Sequence, residues 1–360
     1  MLHALIIAGG SGKRLWPKSR RQSPKFLLKV KGAKTLLQLA VERAAAIMPL
    51  ENILIFTNEL HAGLIKKALP GFPKRNIISE PVSRNTAPAI CLAAAIIQAK
   101  DADSIMYVMP ADQIIEDKSA IKRVFRLCAL VSRLNDIIVT IGIKPIFAST
   151  GYGYIETAQS YKSPASEHAN DVFKVKRFTE KPDARRAKAF VKTNRYLWNS
   201  GIFIARPEIF LKEFKKYCPA AAGITDKIML EKGLTKIKKA VKLHYKDFPD
   251  ISIDYAIMEK TGKAMVVRAD PGWSDIGSWS AISGFLSHDG SNALGAGHIG
   301  LDTADSVIVA EKGHLVATCG IKGLVIVHTP KATLVCRKSD SENVKKLVGL
   351  MEKKGLKEYL

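Results

Sequence analysis

The fold of this chain is decided by one stretch, Leu5-Ile6-Ile7-Ala8-Gly9-Gly10-Ser11-Gly12-Lys13-Arg14-Leu15-Trp16-Pro17. An apolar run ends in glycines, and Lys13 and Arg14 follow at once. Glycines let backbone N–H groups approach an anion without a Cβ in the way, and the cations supply charge at the same place. Lys25 adds a further cation, and the first 34 residues hold nine Lys or Arg and no Asp or Glu. The stretch therefore predicts a strand followed by a loop that binds a polyphosphate.

Two common phosphate-binding motifs do not fit this loop. A Walker loop needs a Gly five residues before its Gly-Lys pair and a Ser or Thr after the Lys, but Ile7 and Arg14 occupy these positions. A dinucleotide-binding fingerprint that starts at Gly10 needs its last Gly where Leu15 stands. A glycine-rich turn with solvated cations is the other interpretation that the loop alone leaves open.

Length and composition indicate a soluble globular protein. The chain has 360 residues, 47% apolar and 25% charged, which is enough for one large domain and a small one. No apolar run approaches the roughly 18 residues of a membrane span, and the start of the chain lacks the basic region of a signal peptide. The five cysteines are scattered and form no C-x-x-C pair, which indicates reduced thiols. We therefore expect a cytoplasmic protein without a membrane contact.

The formal charge of +23 is the one unusual global quantity. Such a charge would suit a nucleic-acid-binding protein. Much of the excess, however, lies in mixed helical segments such as residues 236–242 and 345–357, which have no interleaved aromatic residues. A basic surface for anionic substrates explains the charge as well, so nucleic acid is not an expected partner.

The first half of the chain alternates short apolar strands with helical patterns. The predicted strands are 2–8, 53–57, 76–79, 104–109 and 137–143, and the predicted helices are 35–48, 59–69, 86–100 and 118–133. This alternation predicts an α/β fold, in which a Rossmann-like, mostly parallel sheet is flanked by helices. Ligands of such sheets bind at the carboxyl ends of strands. Residues 9–14, residues 80–86 and Asp112 all follow predicted strands, which makes them candidate binding residues.

The second half of the chain has two different patterns of predicted strands and helices. Strands at 152–157, 172–178, 201–205 and 264–269 and helices at 183–193 and 207–216 indicate a continuation of the same domain, around a second substrate. Beyond residue 290, strands at 306–310, 314–318, 324–328 and 333–337 recur at close spacing, which predicts a small β-helix or a meander. We therefore expect a catalytic domain at 1–288 and a β-helix-like domain with a terminal helix at 289–360.

The terminal helix is predicted to begin at a cap near Ser339 or Ser341. Its apolar face is formed by Val344, Leu347, Val348 and Met351. We expect this face to cover a domain edge, and the contact of a homodimer is the alternative.

Seven segments follow one another between Leu5 and about Ser280. They are the opening loop with Pro24-Lys25, Glu80-Pro81-Val82-Ser83-Arg84-Asn85-Thr86-Ala87-Pro88, Val108-Met109-Pro110-Ala111-Asp112, Gly151-Tyr152-Gly153-Tyr154-Ile155-Glu156, Phe178-Thr179-Glu180-Lys181-Pro182, Trp198-Asn199-Ser200-Gly201-Ile202-Phe203 and Trp273-Ser274-Asp275-Ile276-Gly277-Ser278-Trp279. In identity and order they resemble the mannose-1-phosphate guanylyltransferases, a branch of the sugar-nucleotide pyrophosphorylases. Each segment alone is a weak signal, but the ordered set is specific.

The resemblance implies that the chain converts GTP and α-D-mannose 1-phosphate to GDP-mannose and pyrophosphate, with Mg²⁺ as the cofactor. A sister enzyme with another base or sugar is the alternative within the class. A catalytically silent regulator that binds nucleotide sugars is the alternative from a different class. The presence of Arg14, Lys25, Asp112, Lys181 and Asp275 argues against silence, because a regulator does not need the metal pair.

The resemblance also implies roles for individual residues. The expected catalytic residues are Arg14 at the departing pyrophosphate, Lys25 at the α-phosphate and Lys181 at the sugar phosphate. The expected nucleotide-binding residues are Ala8, Gly9, Gly10, Gly12, Lys13, Glu80, Arg84, Asn85, Thr86 and Asp112. The expected sugar-binding residues are Gly153, Glu156, Lys181 and Asn199, and the expected Mg²⁺ ligands are Asp112 and Asp275.

Several of these residues have a second interpretation in the sequence itself. Asn85 and Thr86 are suited to cap the helix that follows, and an Asp after a strand is commonly a turn residue. The chain departs from the family at Gln113, where His is frequent, and at Phe26, where Gln is frequent. The 360 residues leave no length for the cupin-type isomerase domain of longer relatives, so isomerase activity is not expected.

Overall fold

The structure is a computed structural model that describes residues 1–10, 12–30, 32–161, 171–290, 292–295 and 297–360. Its internal contacts divide the chain into two compact units. The first unit comprises Met1–Gly9, Ala40–Ala111 and Ile115–Trp273, and the second comprises Gly10–Leu39, Asp112–Ile114 and Ser274–Leu360. The glycine loop thus belongs to the same unit as the carboxyl-terminal part. The division into domains 1–288 and 289–360 stays a prediction.

The first unit is built on a nine-stranded sheet of described residues. The strands up to residue 274 are β1 Leu2–Ala8, β2 Ile53–Asn58, β3 Ile77–Glu80, β4 Ile105–Pro110, β5 Ile114–Ile115, β6 Ile138–Ile143, β7 Tyr154–Ser160, β8 Val172–Thr179, β9 Tyr196–Ala205, β10 Ala264–Ala269 and β11 Trp273–Ser274. The order in the sheet is β3-β2-β1-β4-β9-β6-β10-β8-β7. Only β8 and β9 run against the other seven strands. The mostly parallel α/β sheet predicted from the sequence is confirmed.

Helices surround this sheet along the chain. They are α1 Leu36–Ala45, α2 Glu59–Ala68, α3 Thr86–Lys100, α4 Lys118–Asn135, α5 Ala184–Lys192, α6 Pro207–Tyr217, α7 Pro219–Met229 and α8 Leu234–His244. Helix α3 lies in the core, packs against α6 and α7, and buries every residue from 87 to 94. Helix α7 is not among the predicted elements, whereas the predicted helices are found to within three residues. No helix in the described ranges combines the length and the apolar character needed to cross a bilayer.

The carboxyl-terminal part of the second unit is a small β-helix. Its elements are α9 Trp279–Ile282, β12 Ser287–Asp289, β13 Asn292–Gly295, β14 Gly297–Leu301, β15 Val307–Val309, β16 Leu315–Cys319, β17 Leu324–Thr329, β18 Ala332–Arg337 and α10 Val344–Lys353. Strands β13, β15 and β17 pair in parallel, as do β14 and β16. The buried side chains of Ala293, Val307 and Val325 therefore stack in register through successive coils. These parallel ladders favour the predicted β-helix over the meander.

The predicted cap of the terminal helix is wrong. A 3₁₀ stretch, Lys338–Asn343, precedes α10, and Asn343 makes no side-chain capping hydrogen bond. The buried Ser341 hydroxyl instead lies 3.0 Å from the hydroxyl of Ser280. The hydroxyl that suggested a cap is thus used in a tertiary contact. Val344 and Val348 are buried as expected, whereas Leu347 is exposed.

The first unit is packed so closely at Gly142 in β6 that a side chain there should be destabilising. A Cβ at this position would lie 2.6 Å from both Leu197 Cδ1 and Val266 Cγ2. We expect Gly142→Ala to cost about 1–3 kcal/mol of unfolding free energy, because such overpacking displaces neighbouring side chains. Gly63→Ala in α2 is the matched control, since nothing lies within 4 Å of its added Cβ. This control should stabilise the helix by about 0.5–1 kcal/mol. Thermal unfolding of both variants checks the pair, and equal midpoints would contradict it.

Candidate functional site

The loop after β1 depends on the absence of a side chain at Gly12. This residue has a φ of +66°, in the left-handed region that favours glycine. A Cβ there would lie 2.4 Å from the Cβ of Lys25 and 2.8 Å from the hydroxyl of Ser19. Gly12 therefore lets Lys25 cross the loop at van der Waals distance. Ser11, within the same loop, lies outside the described residues.

Lys25, Asp112 and Asp275 meet in the second unit. The Lys25 side chain is 10% exposed, and its Nζ lies 2.7 Å from Asp112 Oδ2. The same ammonium group donates a hydrogen bond to the backbone carbonyl of Asp275, 250 positions away in sequence. Gly277 leaves space beside this residue, since a Cβ there would lie 2.8 Å from Asp275 Oδ1. The structure thus brings together the predicted α-phosphate ligand and both predicted metal ligands.

Two carboxylates suit a metal that shares its other ligands with a substrate. Within the described part of the chain, no group of three or more His, Cys, Asp or Glu side chains could hold a metal by itself. Mg²⁺ is commonly bound by one or two carboxylates, with phosphate oxygens and water completing its shell. Asp112 and Asp275 therefore fit a hard cation that binds together with a phosphate ligand.

The other two loop cations are paired with carboxylates of the carboxyl-terminal segment. Lys13 Nζ lies 2.7 Å from Glu352 Oε1, and Arg14 Nε lies 2.9 Å from Glu342 Oε2. The first 34 residues contain no Asp or Glu, so the sequence near Lys13 and Arg14 offers no acidic partner for them. The contacts join positions more than 300 residues apart, and no local pattern could have found them.

Glu80 is the last residue of β3, and its buried carboxyl group accepts a hydrogen bond from the Tyr245 hydroxyl. Burial raises the pKa of Glu80 to about 7, and the hydrogen bond from Tyr245 only partly offsets this. The backbone of Gly9 passes nearby, since a Cβ there would lie 3.9 Å from Glu80 Oε2. Glu80 is thus a carboxyl group that changes its protonation near neutral pH. Sequence reasoning missed its partner Tyr245.

The residues after Glu80 shape the start of α3. Asn85 has a φ of +60°, and its Oδ1 accepts the N–H of Thr86 at 3.2 Å, so Asn85 caps the helix. The Thr86 hydroxyl accepts the N–H of Ile253 at 2.9 Å.

Arg84 donates a hydrogen bond to the backbone carbonyl of Lys246. Ala8, at the end of β1, accepts a hydrogen bond from Thr57 through its carbonyl at 2.7 Å. The predicted nucleotide-binding roles of Ala8, Arg84, Asn85 and Thr86 stay predictions.

A second cluster in the first unit surrounds Asn199. Its backbone N–H donates to the carbonyl of Gly153 at 2.8 Å, and its Nδ2 donates to Asp254 Oδ1 at 3.0 Å. A Cβ on Gly153 would lie 2.5 Å from Glu180 Oε2 and 3.3 Å from Asn199 Cβ, so the backbone of Gly153 passes close to both side chains. Glu180 in turn forms an ion pair with Lys181. The structure thus brings together three of the four predicted sugar-binding residues.

The charges of this cluster affect one another. Burial, reinforced by the carboxylate of Glu180, raises the pKa of Asp254 to about 7. Burial lowers the pKa of Lys181, but Glu180 and Asp254 together outweigh this and leave its pKa above the ordinary value. Lys181 is therefore a stable cation beside two carboxyl groups. Asp254 begins a π-helical segment, Asp254–Met258, and carried no signal in the sequence analysis.

Glu156 lies apart from this cluster. It is buried on β7, and its Oε1 lies 2.8 Å from Nζ of Lys176 on the neighbouring strand β8. The hydrogen bond from Lys176 lowers the pKa of Glu156, and a hydrogen bond from Tyr196 contributes. The contacts described for Glu156 are those of a cross-strand ion pair, and its predicted role at a sugar hydroxyl stays a prediction.

Two family models match the chain. The family model described as "Nucleotidyl transferase" matches residues 3–290. The chain belongs to the nucleotidyl transferase family. A second model, "MannoseP isomerase/GMP-like beta-helix domain", matches residues 296–351.

The similarity of this nucleotidyl transferase to known proteins extends over nearly the whole chain. A protein of Escherichia coli K12 named mannose-1-phosphate guanylyltransferase is 37% identical over 365 residues, which cover 99% of this chain and 75% of that protein. A solved structure from Thermus thermophilus, described as "mannose-1-phosphate geranyltransferase", has a TM-score of 0.83 at 28% identity and covers 98% of this chain and 99% of its own. A Helicobacter pylori structure, described as a mannose-6-phosphate isomerase, has a TM-score of 0.61 at 26% identity and covers 76% of this chain and 99% of its own. The resemblance carried by the seven segments is confirmed.

The shifted pKa of Glu80 makes a prediction about stability and pH. Its pKa is about 7 in the folded protein against 4.5 for an ordinary Glu. The stabilisation that protonated Glu80 adds to the folded protein is therefore complete below about pH 4.5 and is lost as the pH rises through 7. It amounts to at most about 3 kcal/mol of unfolding free energy. We expect Glu80→Gln, which is neutral throughout, to lose less thermal stability than the wild type between pH 5 and pH 8.

Tyr245→Phe is the matched control for this pH experiment. It removes the hydrogen bond that lowers the pKa of Glu80, so its loss of stability between pH 5 and pH 8 should exceed that of the wild type. Unfolding midpoints that fall in parallel for all three proteins would contradict the assignment.

Proposed function

We propose that the chain transfers GMP from GTP to α-D-mannose 1-phosphate, which yields GDP-mannose and pyrophosphate. The observation that carries this proposal is the meeting of Lys25, Asp112 and Asp275 around one buried ammonium group. The full-length similarity to the Escherichia coli guanylyltransferase supports the choice of base and sugar. The three residues provide what attack on a triphosphate needs, a fixed cation beside two potential metal ligands.

The reaction is a displacement at the α-phosphorus of GTP. A phosphate oxygen of mannose 1-phosphate forms the new P–O bond, and the bond from the α-phosphorus to the bridging oxygen breaks as pyrophosphate leaves. Both reactants are polyanions, so charge must be neutralised before they can approach, and positioning and electrostatics suffice without a protein nucleophile. Lys25 would stabilise the charge that develops on the α-phosphoryl group. The N–H groups and cations of the loop, Gly10, Gly12, Lys13 and Arg14, would hold the departing pyrophosphate.

Asp112 and Asp275 would hold Mg²⁺, which when bound neutralises phosphate charge. Lys25 already contacts both residues, so one ammonium group anchors the carboxylate side chain of Asp112 and the backbone at Asp275. This anchoring fixes the two ligands in the chain before any substrate binds. The identity of the ion as Mg²⁺ follows from the preference of this cation for carboxylate and phosphate oxygens.

Lys181 would bind the phosphate of mannose 1-phosphate. To do so it exchanges its ion pair with Glu180 for the sugar phosphate, which carries more charge. Asn199 would bind a sugar hydroxyl with the second N–H of its amide, since its first is donated to Asp254 and its Oδ1 accepts from Thr140 and Gly201. Glu80, Arg84, Asn85 and Thr86 would read the guanine and ribose. A cytoplasmic location and the domain division at residue 288 belong to the same proposal, and a homodimer remains the alternative to a terminal helix that covers a domain edge.

The proposed reaction is tested by offering the purified protein all four nucleoside triphosphates against several sugar 1-phosphates. Pyrophosphate release should be fastest with GTP and mannose 1-phosphate, and it should stop when EDTA removes divalent metal. Release with another pair only would support a sister enzyme, and nucleotide-sugar binding without release would support a silent regulator. The same preparation is offered mannose 6-phosphate, and formation of fructose 6-phosphate would contradict the expectation that the chain has no isomerase activity.

The metal role of Asp275 is tested by Asp275→Asn. This variant should lose at least about a hundredfold in kcat, because removal of a group that stabilises transition-state charge costs roughly this much. Its thermal unfolding should match that of the wild type without ligands. Asp302→Asn is the matched control, since Asp302 is an exposed residue of the β-helix at a φ of +50°, which Asn tolerates. Wild-type turnover in Asp275→Asn would remove Asp275 from the site.

A further inference from the structure

The carboxyl-terminal segment supplies counterions to the phosphate loop. Glu352, in the last turn of α10, contacts Lys13 Nζ with both carboxylate oxygens, at 2.7 and 2.9 Å. Glu342, in the 3₁₀ stretch before α10, contacts Arg14 Nε at 2.9 Å. Two consecutive cations of the loop are thus engaged by two acids, one just before α10 and one in its last turn.

Further contacts keep this helix beside the loop. The indole N–H of Trp16 donates to the backbone carbonyl of Tyr359 at 2.7 Å, and Leu15 and Val348 belong to the same buried cluster. A cavity of about 230 Å³ adjoins the loop, and both Lys13 and Glu352 line it. The loop and α10 therefore form one packed assembly with open space next to the Lys13 ion pair.

The two ion pairs are exposed enough to exchange. The side chains of Lys13 and Glu352 are each 37% exposed, and those of Arg14 and Glu342 are 32% and 53% exposed. Ion pairs at such positions are weak, and salt screens them further. A polyphosphate brings several charges and charge-assisted hydrogen bonds to the same cations. The phosphate groups would therefore displace the carboxylates, at the cost of separating each pair.

We propose that Glu342 and Glu352 are counterions, which pair with Arg14 and Lys13 and compete with the triphosphate for them. The proposal rests on the proposed function, because it takes Lys13 and Arg14 as phosphate ligands. It gives the terminal helix a part in nucleotide affinity. Binding of the triphosphate releases the carboxylates of Glu342 and Glu352, and anything that favours the ion pairs weakens nucleotide binding.

The double variant Glu342→Gln/Glu352→Gln tests this competition. Glutamine keeps the size of each side chain but removes its charge. The KM for GTP should fall roughly three- to tenfold, because the triphosphate no longer has to break two exposed ion pairs to reach the cations. The kcat and the KM for mannose 1-phosphate should stay unchanged. The difference between variant and wild type should shrink as the salt concentration rises from about 0.05 to 0.5 M, because screening weakens the pairs.

Glu311→Gln is the matched control. Glu311 pairs with Lys18 at 2.8 Å in the same unit, and Lys18 is not among the proposed phosphate ligands. Its removal takes away one negative charge, as each single variant Glu342→Gln or Glu352→Gln does, without freeing Lys13 or Arg14. We expect the KM for GTP in this variant to equal that of the wild type, so an equal fall in both variants would mean that only net charge matters and would overturn the proposal.

Binding of inorganic pyrophosphate, measured by calorimetry, separates this proposal from the proposed function. If the wild type releases no pyrophosphate from GTP and mannose 1-phosphate, the proposed function fails, but tighter pyrophosphate binding by the double variant still supports the competition. An unchanged KM for GTP together with an unchanged pyrophosphate affinity overturns the competition. A rise in the KM for GTP or in the dissociation constant of pyrophosphate overturns it as well, because it would mean that the carboxylates help the cations to bind phosphate. If the double variant does not fold, each single variant should show part of the effect.

Discussion

The contact between the ammonium group of Lys25 and the carboxylate of Asp112 is the interaction on which the candidate site depends. A cation that is nine-tenths buried is costly unless it is paired and hydrogen-bonded, so Lys25 fixes the position of whatever it contacts. It ties the loop segment to Asp112 and to the backbone at Asp275, and Gly12 is required because Lys25 passes over it. Gly12 thus makes room for a side chain within a loop that is predicted to bind an anion.

The same physical arrangement recurs at the other cations of the site. Lys13, Arg14 and Lys181 each carry a carboxylate partner, even though the chain has a formal charge of +23. In the proposed function, substrate binding is therefore an exchange of counterions and not the capture of an anion by free cations. Exchange keeps the cations in place without substrate, and it makes affinity depend on the partners, which for Lys13 and Arg14 lie far away in sequence.

Sequence patterns predicted the elements whose causes are local. Helix α3 begins at Thr86 because Asn85 caps it, and β1 ends at Ala8, before the glycines, so both were placed correctly. The cap near Ser339 or Ser341 was wrong because Ser341 uses its hydroxyl in a tertiary contact with Ser280. Helix α7 was missed. Local signals fail where a side chain serves a distant partner.

The sequence by itself determined the family, the α/β sheet, the closely spaced strands of the carboxyl-terminal part and the identity of the charged residues, because each is written in contiguous motifs or in the spacing of apolar residues. Only the tertiary structure decided which acid faces which cation. Glu352 and Lys13 are 339 positions apart, Tyr245 and Glu80 are 165 apart, and Asp254 and Asn199 are 55 apart. Such pairs form because the fold brings side chains of opposite charge or matching hydrogen-bond roles into contact, and spacing along the chain carries no record of that.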